Sequence, residues 1–352
     1  MVRHTSPLIV QVPCLLCLTG RTFQEGYLSK RLLIFGEHQM SFKCKEASWT
    51  EACKGPGVIK YPSTIDWNMW TPKHALWSSF GHAGDDARLD LYRDFISLLG
   101  QYTQRTLRFE SDALNAFRGV MHQFESQIPP IYNFAGLPFI PAHDSEQIEK
   151  LVGYALSWEH SRLPKRRPEF PSWTWAGWDG PVSWPLDINF LHCPRDSVYF
   201  IDHIYFGSAD AQVAMVSVHS QPSQKFLNTV VAISFEAPCI PATHFTAKNA
   251  EPIQSTTTWD DIWVFGARLE YPCGTLEAIT PMDFLDNLEQ GLWSCFLLSI
   301  NEEEYPGALV LVVEWQDDKT AVRVDGIDCY GGSPADIAKL VPTLERRNVR
   351  LI

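Results

Sequence analysis

Residues 170–184 read Phe-Pro-Ser-Trp-Thr-Trp-Ala-Gly-Trp-Asp-Gly-Pro-Val-Ser-Trp. Four indoles, Trp173, Trp175, Trp178 and Trp184, fall in this one segment, with Gly177 and Gly180 between them. Each indole brings a large apolar surface and one N–H that needs an acceptor. Trp173 and Trp175 are two apart, so on an extended chain they share a face. Ala176-Gly177 lets the backbone bend or bulge, and Asp179-Gly180 is a tight-turn signal. A surface loop has no physical need for such a payload. A core plug does, and so does the wall of a site for a planar ligand or a stacking platform for a sugar or a base. The core reading expects Trp173, Trp175 and Trp178 buried.

Ahead of this segment the apolar period is helical. Asp90 to Gly100 places Leu91, Tyr92, Phe95, Ile96 and Leu99 on one stripe, and Gly100 can end the helix. Ser111 or Asp112 can cap a second helix carrying Leu114, Phe117, Met121 and Phe124. Asp144, with Gln147 three residues on, opens a third through a capping box. Earlier still, residues 31–35 and 40–44 read as a hairpin across Gly36-Glu37-His38. Residues 53–87, with Trp67, Trp70 and Trp77, read as a long loop packed on something else.

Beyond the tryptophan segment the period becomes two. Residues 197–206, 212–219, 229–235, 262–269, 293–300, 308–315 and 321–327 read as strands, with Gln316-Asp317-Asp318-Lys319 a hairpin loop between the last two. Ser333-Pro334 opens a short helix. The fold class is α+β, a mixed front half followed by a β-rich back half. The organisation expected is an atypical segment over 1–20, a first region over 21–185 and a β-rich region over 186–352.

With 45% hydrophobic and 20% charged residues over 352 positions, the chain has a globular composition. A net charge of −12 argues against a general nucleic-acid binder, which needs a basic face. The one dense basic run, Lys165-Arg166-Arg167, reads as a solvated loop rather than a binding patch. Nine scattered cysteines, an odd number, fit reduced thiols in a cytoplasmic protein. Cys14 and Cys17 form a C-x-x-C with no second pair at zinc spacing. No apolar run approaches the roughly 20 residues of a membrane span. Residues 8–18 are apolar after Arg3 and His4, but Gln11 and Pro13 interrupt them and no small-residue cleavage site stands out, so a secretory signal is not the reading. His74 and His82, or His192 and His203, lack metal-ligand spacing, and there is no G-x-S-x-G, P-loop or G-x-G-x-x-G. No metal and no cofactor is expected.

Five stretches in order resemble the heterokaryon-incompatibility (HET) domain proteins of filamentous fungi. Arg21-Thr22-Phe23-Gln24-Glu25, then Leu28 to Phe35 and Phe42-Lys43-Cys44, look like that family's W-T-x-Q-E … L-S-x-R-x-L-x-F … C block. Tyr102-Thr103, Arg105, Leu107, Asp112, Leu114, Ala116-Phe117 and Gly119 form the second match, and Gly136-Leu137-Pro138 the third. Pro171 to Trp178 is similar to the family's P-S-W-S-W-A-G-W signature. Val313-Glu314-Trp315 with Arg323 is like its late I-E-W … R segment. The chain departs in carrying Arg21 where the family has Trp, and in lacking the family's upstream S-Y-x-W-G and W-I-D-x-x-C-I-x-Q strands. It therefore reads as beginning inside the HET domain.

The resemblance implies a partial HET domain, remotely TIR-like, and a role in fungal non-self recognition as an effector of programmed cell death. It implies regulated association, either with a protein partner or with itself, rather than an enzyme. The motif residues are Gln24, Glu25, Arg31, Asp112, Trp173, Trp175, Gly177 and Trp178. Glu25 and Arg31 can form a structural ion pair. By analogy with NAD⁺-cleaving TIR proteins, Glu25 is also the candidate for a catalytic carboxylate. Tyr102 and Arg105 are expected to support packing of the helices on the tryptophan segment, and Asp112 to cap its helix. An NAD⁺-hydrolysing enzyme and an inactive truncated paralogue are the alternatives.

Overall fold

The computed structural model describes residues 21–29, 31–35, 40–44, 48–51, 85–128, 130–140, 145–160, 164–184, 197–207, 212–214, 230–247, 266–271, 274–279, 284–301, 307–330 and 341–352. The segment 1–20 with Cys14 and Cys17, most of the loop expected over 53–87, the cap residue Asp144 and the helix expected at Ser333-Pro334 lie outside them. Among the described residues the helices are α1 (Arg21–Leu28), α2 (Asp85–Thr103), α3 (Arg118–Glu125), α4 (Ser145–Ala155) and α5 (Phe284–Glu289). Together with a large mixed sheet they make the chain α+β, as its periodicities predict. None of the described helices is long and apolar enough to cross a membrane. The chain divides into two compact units, Met1–Lys73 with Arg105–Val120, and His74–Gln104 with Met121–Ile352. Residues on either side of 185 fall in the same unit.

In the first unit, α1 leads into an antiparallel three-stranded sheet of β1 (Arg31–Phe35), β2 (Met40–Cys44) and β3 (Ser48–Thr50). Leu33 stands opposite Phe42, and Phe42 opposite Trp49. Phe23 of α1 is buried, with its ring 5.9 Å from that of Phe117 and the Arg105 guanidinium 4.7 Å above it. Arg105 thus supports Phe23. The helix expected from Asp112 does not start there. Glu110–Asp112 is a 3₁₀ turn, the Ala116 N–H donates to the Asp112 carbonyl at 2.8 Å, and α3 begins only at Arg118. Ser and Asp satisfy turns as readily as helix caps, and here the turn wins.

In the second unit, α2 buries Leu91, Tyr92, Phe95, Leu98, Leu99 and Tyr102 along one stripe. It runs past Gly100, the stop expected from sequence. A Cβ there would lie 3.3 Å from the Val182 carbonyl, so this glycine serves a close approach rather than a cap. Thr103 ends the helix instead: its hydroxyl donates to the Gly100 carbonyl and accepts the Val182 N–H, each at 3.1 Å. β4 (Tyr132–Phe134) and β5 (Leu137–Phe139) form a hairpin that sequence reading missed. Its turn residues Ala135 and Gly136 have φ of 48° and 100°, the positive pair a tight two-residue turn demands.

Short strands β6 (Glu159–His160), β7 (Lys165–Arg166), β8 (Trp178–Asp179) and β9 (Val182–Ser183) pair as β6 with β9 and β7 with β8. The large sheet contains β10 (Ser197–Tyr199), β11 (Asp202–Gly207), β12 (Gln212–Ala214), β13 (Ala232–Ile240), β14 (Phe245–Ala247), β15 (Gly266–Tyr271), β16 (Gly274–Ile279), β17 (Trp293–Asn301), β18 (Gly307–Trp315), β19 (Thr320–Tyr330) and β20 (Glu345–Leu351). The single strand expected over 197–206 is two: β10 pairs with β17, whereas β11 pairs with β12 and β13 across an irregularity at His203, φ 53°.

The pairings β13–β17, β17–β18, β18–β19, β19–β20 and β20–β13 close into a ring of five strands, with β19–β20 parallel and the others antiparallel. Closure removes the open edges that a sheet otherwise exposes. Both faces of β18 are buried, Ala308, Val310 and Val312 on one and Leu309, Leu311 and Val313 on the other. That is why its sequence is a continuous apolar run. The first face packs with Ile240, Leu288, Leu297 and Ile300.

Candidate functional site

The tryptophan segment is held from below by two arginines. Arg166 donates to the Gly177 carbonyl at 2.8 Å, to the Phe170 carbonyl at 2.7 Å and to the Arg167 carbonyl. Arg167 is buried; its backbone N–H donates to Gly177 O at 2.7 Å, and its guanidinium to the Trp178 carbonyl and to Asp179 Oδ1, the latter at 2.8 Å. Arg166 and Arg167 are therefore a clamp on the segment and not part of a solvated loop, while Lys165 is exposed. Burial pulls the Arg166 pKa below its usual value, with Glu169 partly offsetting this.

Within the clamp the chain is not extended. Trp175–Gly177 is a 3₁₀ turn, so Trp173 and Trp175 do not share a strand face. All four rings are buried. Trp173 Nε1 donates to Val231 O at 3.4 Å, Trp175 Nε1 to Gly136 O at 2.9 Å and Trp178 Nε1 to Ser172 O at 2.8 Å. Trp184 Nε1 has no partner among the described residues. Tyr102 of α2 meets Trp175 edge-on, centroids 5.6 Å apart, which is the support expected of it. Gly177 is obligatory: a Cβ there would stand 2.4 Å from the Pro171 carbonyl oxygen.

Beside the segment lies Arg323 of β19, fully buried. Its backbone N–H donates to Ser172 Oγ at 3.1 Å, and Ser172 in turn donates its N–H at 2.9 Å and its hydroxyl to the Ile352 carbonyl. The Arg323 guanidinium donates to the carbonyls of Leu156 and Trp158 and lies flat on the Trp158 ring, 3.5 Å from its centroid. Burial pulls its pKa down to about 9, with Asp325 and Glu159 opposing. Asp325 Oδ1 faces both the backbone N–H and Nδ1 of His160 at 3.2 Å, and accepts the Gly326 N–H at 2.8 Å. The His160 ring stands edge-on to Trp158 and Trp178 at 5.0 and 5.3 Å.

In the first unit Gln24 Oε1 accepts the Gly119 N–H at 2.9 Å across 95 residues. A Cβ on Gly119 would fall 2.8 Å from that oxygen and 2.7 Å from Leu28 Cδ1. Glu25 and Arg31 are exposed and, among the described residues, no ion pair joins them. The Glu25 backbone carbonyl accepts from Ser29 N at 3.2 Å. Asp112 sits in its 3₁₀ turn. The structure thus gathers Trp173, Trp175, Gly177 and Trp178 into one cluster with Arg323, Ser172 and Tyr102, and ties Gln24 to Gly119. Chemically the cluster is a rigid wedge: three of its four indole N–H groups are spent on backbone carbonyls. No group of three or more His, Cys, Asp or Glu among the described residues is placed to hold a metal.

Compared with protein-family models, curated proteins and solved structures, the chain matches none.

Proposed function

We propose that the chain is an effector of the fungal heterokaryon-incompatibility type, built on a HET-type domain of remotely TIR-like descent and acting in programmed cell death by regulated association. The observation that carries this reading is mutual contact among residues drawn from separate motif blocks. Gln24 of the first block meets Gly119 of the second. Tyr102 of the second and Gly136 of the third both meet Trp175 of the fourth. Ser172 of the fourth meets Arg323 of the fifth. Blocks this far apart in the chain serve one another structurally, which is what a shared scaffold requires.

Association has a surface to act through. Leu33, Phe42 and Trp49 align across the three-stranded sheet, and Leu33 and Trp49 are 55% and 40% exposed. Exposed aligned apolar rows mark interaction sites. Among the described residues β1 pairs with β2 alone, leaving one edge of an apolar strand. The occupant is a second copy. Antiparallel pairing of two β1 strands about Leu33 sets Leu33 opposite Leu33 and Arg31 opposite Phe35, with no like charges facing, and continues the apolar row across the two-fold axis.

The test is expression in a filamentous fungal host, scoring hyphal death, NAD⁺ content and oligomeric state. The wild type is expected to kill without NAD⁺ loss, Leu33→Lys to be monomeric and harmless, and Glu25→Ala to kill like the wild type. Death accompanied by NAD⁺ loss that Glu25→Ala abolishes would replace this reading with a hydrolase. A harmless wild type would overturn it.

A further inference from the structure

We infer that an open groove at one end of the five-strand ring is a binding site for a neutral sugar ring. The inference stands apart from the proposed function. The groove has a volume of about 670 Å³ and runs between the β18–β19 hairpin and the ends of β13, β17 and β20. Volumes of roughly 300–1,000 Å³ hold small ligands, and one or two pyranose rings fall within that range.

Its lining combines two chemistries: apolar Ile240, Pro241, Leu288 and Trp293, and polar Ser294, Gln316, Asp318 and Arg347, with Trp315 among them. Trp315 is fixed in place: its Nε1 donates to Ser294 Oγ at 2.8 Å, Phe296 meets it edge-on at 6.3 Å, and the Arg347 guanidinium lies 5.4 Å from its centroid. An aromatic surface held this way needs little ordering when a ligand arrives. Cys239 also lines the groove, hydrogen-bonded to Arg347 and Ser294, and burial pushes its thiol pKa up, so it is present as a neutral S–H.

The charges then select the ligand. Asp317 is already occupied by its own turn: Oδ1 accepts the N–H groups of Lys319 and Thr320, each at 2.7 Å, and Oδ2 the Thr320 hydroxyl at 2.6 Å. That leaves Asp318 and Arg347, both exposed, as the lining carboxylate and guanidinium open to a ligand. A phosphorylated ligand would meet Asp318, and a polyamine would meet Arg347. A neutral sugar satisfies both kinds of lining group, with its C–H face on indole and its hydroxyls donating to a carboxylate and accepting from guanidinium and amide.

The experiment titrates the purified full chain with cellobiose, maltose, mannobiose and diacetylchitobiose, following tryptophan fluorescence and heat, with glucose 6-phosphate and spermidine alongside. Saturable millimolar or tighter binding of at least one disaccharide is expected, with neither charged probe preferred. Asp318→Ala, on an exposed turn, is expected to weaken that binding about tenfold, and Trp315→Phe by a similar factor while circular dichroism stays unchanged. Failure of all four disaccharides to saturate, tighter binding of a charged probe, or sugar binding unmoved by Asp318→Ala would each overturn the assignment.

Discussion

The guanidinium of Arg323 lies face-on to the indole of Trp158, 3.5 Å from its centroid, while donating to the Trp158 carbonyl. One residue thus binds both the ring and the backbone of another, 165 positions away. A second hydrogen bond goes to Leu156 O, so the end of α4 and the start of β6 are fixed to β19 at this one side chain. Removing the fork leaves two buried carbonyls without donors, each costing roughly 1–3 kcal/mol. Arg323→Met, which keeps the bulk, is expected to destabilise by about 3 kcal/mol in urea unfolding. Arg323→Lys, whose single ammonium cannot copy the planar fork, is expected to recover less than half of that. Equal stability of Arg323→Met and the wild type would mean the burial cost of the charge cancels its hydrogen bonds.

Gly177→Ala tests the wedge itself. The new methyl would meet the Pro171 carbonyl oxygen at 2.4 Å and Arg166 Nη1 at 2.9 Å. The first neighbour is backbone and cannot swing away. The Gly177 carbonyl also accepts from Arg166 and from the Arg167 N–H, so a shift of this residue loosens the clamp. Overpacking a tight site costs on the order of 1–3 kcal/mol, and a backbone wall places this change at the upper end. A drop in melting temperature, with a red-shifted tryptophan emission, is the expected result. Gly291→Ala is a weaker control: no atom lies within 4 Å, and its φ of 71° accounts for the milder strain expected there.

Much of the scaffold was legible before any coordinates. The α2 stripe of Leu91, Tyr92, Phe95 and Leu99 follows a helical period, and the β17–β18–β19 meander follows from long apolar runs split by Gln316–Lys319. What stayed hidden depends on partners far along the chain. β20, Glu345–Leu351, buries only Val349 and Leu351 and is polar elsewhere, so periodicity cannot find it; closure of the ring makes it a strand. Arg323 sits in an alternating strand like any outward charge, and only the fold turns it inward. Asp112 carries cap chemistry that a 3₁₀ turn uses equally well. Of the motif residues, the tryptophans announced burial, whereas nothing near Gln24 hinted at an acceptor role 95 residues away.

Gln24 is the second motif residue worth testing. Gly119 is the second residue of α3, and a helix leaves its first N–H groups without intrahelical acceptors. Gln24 Oε1 supplies one at 2.9 Å, a cap delivered from another element. Gln24→Ala is expected to raise amide exchange at Gly119 by about tenfold or more and to lower stability by roughly 1 kcal/mol. Unchanged exchange at Gly119 would show that water replaces the amide at no cost.

Tyr92 gives the chain an alkaline weakness. Its side chain is fully buried, and its hydroxyl has no hydrogen-bond partner among the described residues. Burial, helped by the neighbouring phenols of Tyr154 and Tyr199, holds its pKa well above 10. In the unfolded chain the same phenol ionises near pH 10. The folded pKa is the higher one, so the contribution is intact below about pH 10 and is lost as pH rises above it, because only the unfolded state releases the proton. Tyr199 is shifted in the same direction and adds to the slope. Tyr92→Phe removes an unpartnered buried hydroxyl, and at neutral pH it is expected to be neutral or stabilising by up to about 1 kcal/mol. Its larger effect is on slope: between pH 10 and 11 the variant should lose stability more slowly than the wild type, with the remaining fall due to Tyr199. Urea midpoints measured at intervals from pH 8 to 11 decide the matter, and parallel curves would place the alkaline sensitivity elsewhere.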